Sequence, residues 1–368
     1  MKVAIVAPLV APIREPQRGG SQVFVSDLAR GLVDRGNEVD LYAASGSALA
    51  GVRTVDTGVD HRRLQATLYR PWGAGAGAGA RVPDVAEKAF AGVYGAVRDA
   101  GYDVVHNHAF DAPAVALATA AQAPVLHTLH LPPQAEVVEA LLQSVAGSRP
   151  PAVGCVSEHQ AKAWRALVRV DAILPPLVPT AAIPFSPAKG NGAVFAGRFS
   201  PEKGAVEAIE IARAAGVDIE LFGDSYDDEY TRQEIEPHRA EPGVSVHAGV
   251  PRTSLWQVMA RAAVVLCPAS WDEPFGMVAA EAQACGTPVV AFRRGALAEV
   301  VVDRVTGFLI SPGDIGAAAD AVLRTPGLSR RRCRAHAESR LDLEWTLDAH
   351  ERLYEQLADA RVGAASGD

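Results

Sequence analysis

The chain has 368 residues, 49% hydrophobic and 21% charged, which is enough for two domains with full cores and too apolar for a disordered chain. A formal net charge of −8 argues against nucleic-acid partners, and no apolar run reaches the ~18 residues needed to insert stably in a bilayer. The four cysteines (Cys155, Cys267, Cys285, Cys333) are far apart and lack a Cys-x-x-Cys, so neither a disulfide framework nor a metal cluster is expected, and Cys267 and Cys285 read as core fillers.

The opening residues 2–7 form too short an apolar run before Pro8 for a secretory leader. They read as a first strand, and a cytoplasmic location is expected. A long loop follows and ends in Gly19-Gly20. Ser21 is placed to cap a helix whose apolar positions Val23, Phe24, Leu28, Leu32 and Val33 keep helical spacing. Arg35-Gly36 ends that helix, and Glu38 to Ala43 alternates as the next strand, so the β–α–β unit predicts a parallel sheet. The glycine fingerprint Gly-x-Gly-x-x-Gly is absent and the loop is too long for that tight turn, which disfavours an NAD-dependent oxidoreductase.

Trp72 to Arg81 is a low-complexity Gly/Ala segment, either a mobile rim loop or a plain surface insertion, and a helix is expected from Pro83 to Ala100. Tyr102 to His106 reads as a strand, with Asn107-His108 leaving its carboxyl end, where open α/β sheets bind ligands. Pro124 to Leu129 repeats that arrangement with His127 and His130. Each of these four histidines reads either as a satisfied structural group or as a ligand contact. Ala152 to Ser157 is a further strand, with Ser157 capping a helix from Glu158 to Leu167. Ile173 to Pro187 carries five prolines (Pro175, Pro176, Pro179, Pro184, Pro187) and reads as an interdomain linker.

The second half opens with the strand Ala193 to Ala196, followed by Gly197-Arg198-Phe-Ser-Pro-Glu-Lys203-Gly204 and an amphipathic helix through Ala214. Strands over Val217–Phe222 and Val244–Ala248 end in Gly223-Asp224 and Gly249-Val250-Pro251. The apolar strand Ala263 to Cys267 leads through a polar loop to Glu273, then a helix from about Phe275 to Cys285, Gly286, and a strand from Pro288 to Phe292. A free helix N-terminus at a strand end favours an anion. Glu273 and Glu281 lie roughly 12 Å apart along the axis at ~1.5 Å per residue, too far for a shared-proton dyad. They fit two separate jobs, one beyond the phosphate and one on a ribose, or else a capping acid plus a solvated face. Val302 to Ile310 reads as a turn and short strand, Arg330-Arg-Arg-Cys-Arg334 as a solvated helix face, Trp345 to Leu357 as a closing amphipathic helix, and Gly363 to Asp368 as a fraying end.

The run Glu273-Pro-Phe-Gly-x-x-x-x-Glu281-Ala-x-Ala-x-Gly286-x-Pro288-Val resembles the signature of the retaining, GT-B-fold glycosyltransferases of the family-four type (glycosyl transferases group 1). Gly197-Arg198-x-x-x-x-Lys203-Gly204 is similar to that family's second motif. The resemblance is closer over the C-terminal half than over the N-terminal half. It implies two facing Rossmann-like α/β domains with parallel sheets and a C-terminal helix crossing back to the first. The expected divisions are 1–180 (acceptor), 188–343 (donor) and 344–360 (crossover helix). It further implies that Arg198 and Lys203 clamp the donor diphosphate, that Glu273 and His108 meet the sugar, and that Phe275, Gly276 and Met277 offer amides. Glu281 holds the ribose, Gly197, Gly223 and Val250 border the nucleotide, and Gly19-Gly20 lies near donor phosphate or acceptor unless it is only a flexible turn. Where the family has Pro-Asn-Gly-Val, this chain reads Pro175-Pro-Leu-Val-Pro179.

The expected activity is retaining transfer of a sugar from a nucleotide sugar, a UDP-sugar by first choice, to a soluble small-molecule acceptor. No cofactor and no metal are expected, because the two fixed cations stabilise the leaving diphosphate. A sugar-nucleotide epimerase on the same fold and a non-catalytic nucleotide-sugar-binding protein are the alternatives. The charges of helices 21–35 and 83–100 are mixed, and residues 134–149 are not basic, so no lipid-surface helix is read.

Overall fold

The computed structural model describes residues 1–17, 19–62, 64, 83–147 and 149–365. The Trp72–Arg81 segment and the last three residues lie outside them. The chain separates into two compact units. One comprises Met1–Arg14, Gly20–Leu177 and Glu344–Asp368, and the other Glu15–Gly19 and Val178–Leu343.

The first unit is built on a seven-stranded sheet in the order β3-β2-β1-β4-β5-β6-β7. The strands are β1 (Lys2–Val6), β2 (Glu38–Ala43), β3 (Arg53–Asp56), β4 (Val104–Asn107), β5 (Val125–Leu129), β6 (Ala152–Cys155) and β7 (Ala172–Ile173). Every pairing is parallel. Val3, Ala4, Ile5 and Val6 are all fully buried, because helices cover both faces of a parallel sheet and its central strands need apolar residues on both sides. The helix Pro83–Arg98 stops two residues short of the predicted end, and the first helix begins at Gly20 rather than after a Ser21 cap. Ser157 does cap its helix, accepting from the Gln160 amide, and that helix runs Glu158–Arg165.

The closing helix, Leu343–Ala365, is longer than the sequence suggested, includes Gly363, and belongs to this first unit from Glu344 onward. Arg35 fastens it, donating to Asp348 and Glu351 at 2.7 Å each. Tyr354 and His350 of the same helix reach the carboxyl end of β4.

The second unit holds a six-stranded parallel sheet in the order β10-β9-β8-β11-β12-β13. Its strands are β8 (Asn191–Ala196), β9 (Ile219–Phe222), β10 (Val244–His247), β11 (Ala262–Cys267), β12 (Val289–Phe292) and β13 (Gly307–Ile310). In both sheets the strand order reverses beside the first strand, between β1 and β4 and between β8 and β11. The crevice at such a reversal, outside the carboxyl ends, is where doubly wound sheets bind ligands. Among the described residues no helix is long and apolar enough to cross a membrane.

One surface expectation is corrected. Arg330 and Arg334 are not a solvated face. Arg330 is 7% exposed, and its guanidinium donates to the carbonyls of Ser186, Ala260 and Ala262 and to the Thr287 hydroxyl, at 2.7–2.8 Å. Arg334 donates to the carbonyls of Thr180, Ile183 and Ala284. Only Arg331 and Arg332 of the run face solvent. The planar five-donor fork collects carbonyls from segments far apart in the chain, which spacing along one helix could not reveal. Arg330→Met should therefore destabilise the protein by roughly 3 kcal/mol in urea unfolding, and Arg331→Met by less than about 0.5 kcal/mol. Equal midpoints for the two would show that these buried bonds contribute nothing.

Candidate active site

The second sheet's reversal gathers the two motifs. The loop after β8 carries Gly197, Arg198 and Lys203, and the loop after β11 carries Glu273. Lys203 Nζ lies 2.8 Å from Glu273 Oε2 and 3.1 Å from Oε1, with both side chains about one-fifth exposed. Trp271 donates its indole N–H to the same Oε2 at 2.7 Å, and the Lys203 ammonium sits 4.7 Å above the indole ring. Arg198 stacks on Tyr226 at 4.2 Å and reaches Glu202 at 3.3 Å, and Glu202 also accepts from the Ser200 hydroxyl. The Ser270 amide donates to the Glu202 carbonyl at 3.0 Å, so the two loops are joined through backbone as well.

Backbone geometry then sets the helix start. Gly276 has φ 105°, a left-handed conformation that other residues avoid, and the helix begins only at Met277, ending at Ala284. The amides of Phe275, Gly276 and Met277 have no acceptor among the described residues; that of Met277 is a first donor of the helix, without an intrahelical partner, and the other two lead into it. Gly295, after β12, allows a further close approach. A Cβ there would fall 2.2 Å from the Glu273 nitrogen, and the next amide, Ala296, donates to the Glu273 carbonyl at 2.8 Å. Glu273 is thus held by backbone on one side and by Lys203 and Trp271 on the other.

Glu281, 4% exposed, is not on a solvated face. It is ion-paired with Arg252, whose guanidinium lies 4.9 Å from the Trp256 ring. Gly223 abuts the Gly197 carbonyl at the ends of β9 and β8, and the Gly249 amide donates to Asp224 at 2.9 Å, just before the half-buried Val250. Cys267, at the end of β11, is no thiolate: burial pushes its pKa up to about 12, with the Glu273 carboxylate adding to the effect. Trp271, Arg252 and Gly295 were not singled out from the sequence. Arg252 and Gly295 act on partners distant in the chain, whereas Trp271, two residues before Glu273, stood just ahead of a motif already in view.

The first unit's reversal is different in kind. His106 is fully buried, with Nδ1 2.6 Å from the Tyr354 hydroxyl and Nε2 2.7 Å from that of Thr128. His108 shares its Nδ1 with His130 Nε2 at 3.0 Å, its ring lies tilted with its centre 3.9 Å from that of His106, and its buried Nε2 has no partner among the described residues. Phe24 packs 5.2 Å from both His108 and His130. Gly20 opens the helix that carries Phe24, while Gly19 belongs to the 15–19 segment of the second unit, with open space where a Cβ would lie. Among the described residues no group of three or more His, Cys, Asp or Glu is arranged to hold a metal ion.

Comparisons with known proteins cover almost the whole chain. The family described as Glycosyltransferase Family 4 matches residues 18–181, and Glycosyl transferases group 1 matches residues 181–338. A D-inositol 3-phosphate glycosyltransferase of Kribbella flavida is 30% identical over 96% of this chain and 94% of its own. Sucrose-phosphate synthase from Thermosynechococcus elongatus shares the fold with TM-score 0.75 at 20% identity, covering 98% of this chain and 99% of its own. Anabaena HepE, solved in complex with UDP and glucose, aligns with TM-score 0.72 at 20% identity, covering 96% of this chain and 99% of its own.

The histidine cluster has a consequence for acid stability. Burial holds His106 and His108 well below the ordinary imidazole value, His127 and His350 at about 4, and His130 at about 3. All five are therefore neutral in the folded protein, and their stabilising contribution is complete above the unfolded value of ~6.5. As pH falls through that value the unfolded chain takes up protons that the native one refuses, so stability is lost, by up to roughly 1.4 kcal/mol per pH unit for each histidine. Asp111, raised by burial to about 7, works in the opposite direction, but it is one group against five. Unfolding free energy from urea titrations should fall steeply from about pH 7 to pH 5, with a slope close to one proton smaller in His350→Leu. A flat profile would mean that these histidines titrate alike in both states.

Proposed function

Because the chain belongs to the group 1 glycosyltransferases of the family-four type, we propose that it transfers a sugar, with retention, from a UDP-sugar to a soluble small-molecule acceptor and needs no metal. The observation that carries this reading is the arrangement at the second sheet's reversal. Lys203 is paired with Glu273, just ahead of the amides of residues 275–277, which have no acceptor among the described residues, and Arg198 lies on the same loop as Lys203. In this reading the bond between the anomeric carbon and the diphosphate oxygen breaks. Negative charge grows on the departing diphosphate, and fixed cations and amides stabilise that charge more than they stabilise the intact donor. The acceptor hydroxyl oxygen bonds to the anomeric carbon from the face the diphosphate leaves, and its proton passes to a diphosphate oxygen.

Glu273 orients sugar hydroxyls, and His108, with its free Nε2, is assigned the same task in the first unit. Glu281, fixed by Arg252, takes the ribose diol. Gly197, Gly223 and Val250 border the nucleotide, and Gly19-Gly20 lies toward phosphate or acceptor. The Kribbella relative is named for a small phosphorylated polyol, and HepE was solved with UDP and glucose. Both accord with the acceptor and donor classes chosen. A cytoplasmic location goes with such soluble substrates.

A thermal-shift panel of UDP, GDP, ADP and dTDP, with and without EDTA, tests the donor class. The correct diphosphate at ~100 times its Kd should stabilise the protein by about 2.7 kcal/mol, unchanged by EDTA. No response to any of them would overturn the reading, and an epimerised donor with no acceptor requirement would replace it with isomerase chemistry. With the donor known, Lys203→Met and Arg198→Met should each lower kcat by about 10²–10³ while the protein stays folded. Undiminished turnover would exclude the cationic clamp.

A further inference from the structure

On the donor-site reading just given, we propose that Trp271 is a positioning residue that fixes the sugar-facing carboxylate of Glu273 when Lys203 turns to the diphosphate. Glu273 Oε2 has two side-chain donors, Lys203 at 2.8 Å and the Trp271 indole at 2.7 Å, and Oε1 has Lys203 alone at 3.1 Å. Lys203 is a mobile point charge, and an arriving diphosphate competes for it with a higher charge than one carboxylate carries. The indole N–H is neutral and donor-only, so a phosphate draws it far less strongly. It is the side-chain contact that remains.

The surroundings hold it in place. Ser270, one residue before it, is bonded to the Glu202 carbonyl, and Glu273, two residues after it, is bonded to Ala296. Trp271 therefore spans a short loop with both ends anchored. Its ring also lies beneath Lys203, so the same side chain guides the cation between its two partners. An ordinary surface tryptophan would need neither the 2.7 Å bond nor the anchored loop.

Trp271→Phe keeps the ring and removes the donor, which makes it the discriminating variant. It should lower kcat about 10- to 100-fold with donor KM changed less than about threefold, because a misplaced catalytic contact is costly while uniform donor binding is kept. In a Glu273→Ala background the same change should cost less than about twofold, since a residue acting through Glu273 has nothing left to position. Equal cost in both backgrounds, or an unchanged kcat in the wild-type background, would overturn the proposal. An activity-independent measurement runs alongside, in protein labelled with 15N-tryptophan. The indole signal that Trp271→Phe removes should lie downfield, move upfield in Glu273→Ala, and stay downfield on adding nucleoside diphosphate. A signal indifferent to Glu273→Ala sinks the proposal by itself, whereas failure of every diphosphate to bind sinks the donor reading on which it rests.

Discussion

The pairing of Lys203 with Glu273 joins two loops whose partners stand 70 residues apart in sequence, and the rest of the candidate site is arranged around that join. The loops leave the carboxyl ends of β8 and β11, which pair side by side, so the sheet brings them together before any side chain acts. The ion pair and the Ser270–Glu202 backbone bond then fix them at contact distance. A lysine and a glutamate one-fifth exposed would each lose hydration with little return if the other were absent, so each is the reason the other is tolerated there. With the loops already ordered, only side chains need move for these cations to meet the diphosphate charge of the proposed reaction.

The two sheets share an order of strands but place opposite chemistries at their reversals. In the second unit the crevice residues are charged and part-exposed, and the first donors of a helix are open. In the first unit the corresponding strand end is packed with neutral imidazoles under His350 and Tyr354 of the closing helix. Protonating that cluster would put like charges within 3.9–5.6 Å of one another in a dry interior; burial depresses all of these pKa values, and repulsion by neighbouring imidazoles adds to it for His106 and His108. The second unit thus presents the charge that suits the anionic donor of the proposed reaction, while this end of the first offers hydrogen-bonding groups without net charge. That division follows from the residues at β4 and β8, not from the topology they share.

Much of the fold was legible because central parallel strands are apolar on both faces and stand out as short hydrophobic runs, as in β1, β8, β11 and β12. The edge strands β3 and β7 were not, since Arg-Thr-Val-Asp and a two-residue Ala-Ile carry no such pattern. The helix at the site was read two residues too early because the positive φ of Gly276 postpones it, and a glycine's conformation cannot be read from its position in a motif. Motif residues Arg198, Lys203, Glu273 and Glu281 were visible as a set. What they touch was not: Arg252 under Glu281, Gly295 against Glu273 and the buried forks of Arg330 and Arg334 are all long-range pairings, which leave no periodic trace. The basic run around Arg330 shows the cost of judging charge by density alone.

The segment 175–179 bears on where an anion could be held. Pro175, Pro176 and Pro179 have no amide hydrogen, and Leu177 and Val178 are fully buried, so this turn has little to offer an anion. Its backbone is used otherwise: Val178 bridges to Asp342 and accepts from the Leu343 amide at 3.0 Å, while Thr180 bonds Asp342. The chain thus enters and leaves the second unit side by side, tied by its own hydrogen bonds. With the Asn-Gly of the related pattern replaced, the proposed reading draws its amide donors from residues 275–277 and its positive charge from Arg198 and Lys203. The fewer the groups that share the anion, the more each depends on being held in place, and that is why the contacts around Glu273 and Lys203 outweigh any single residue of the motif.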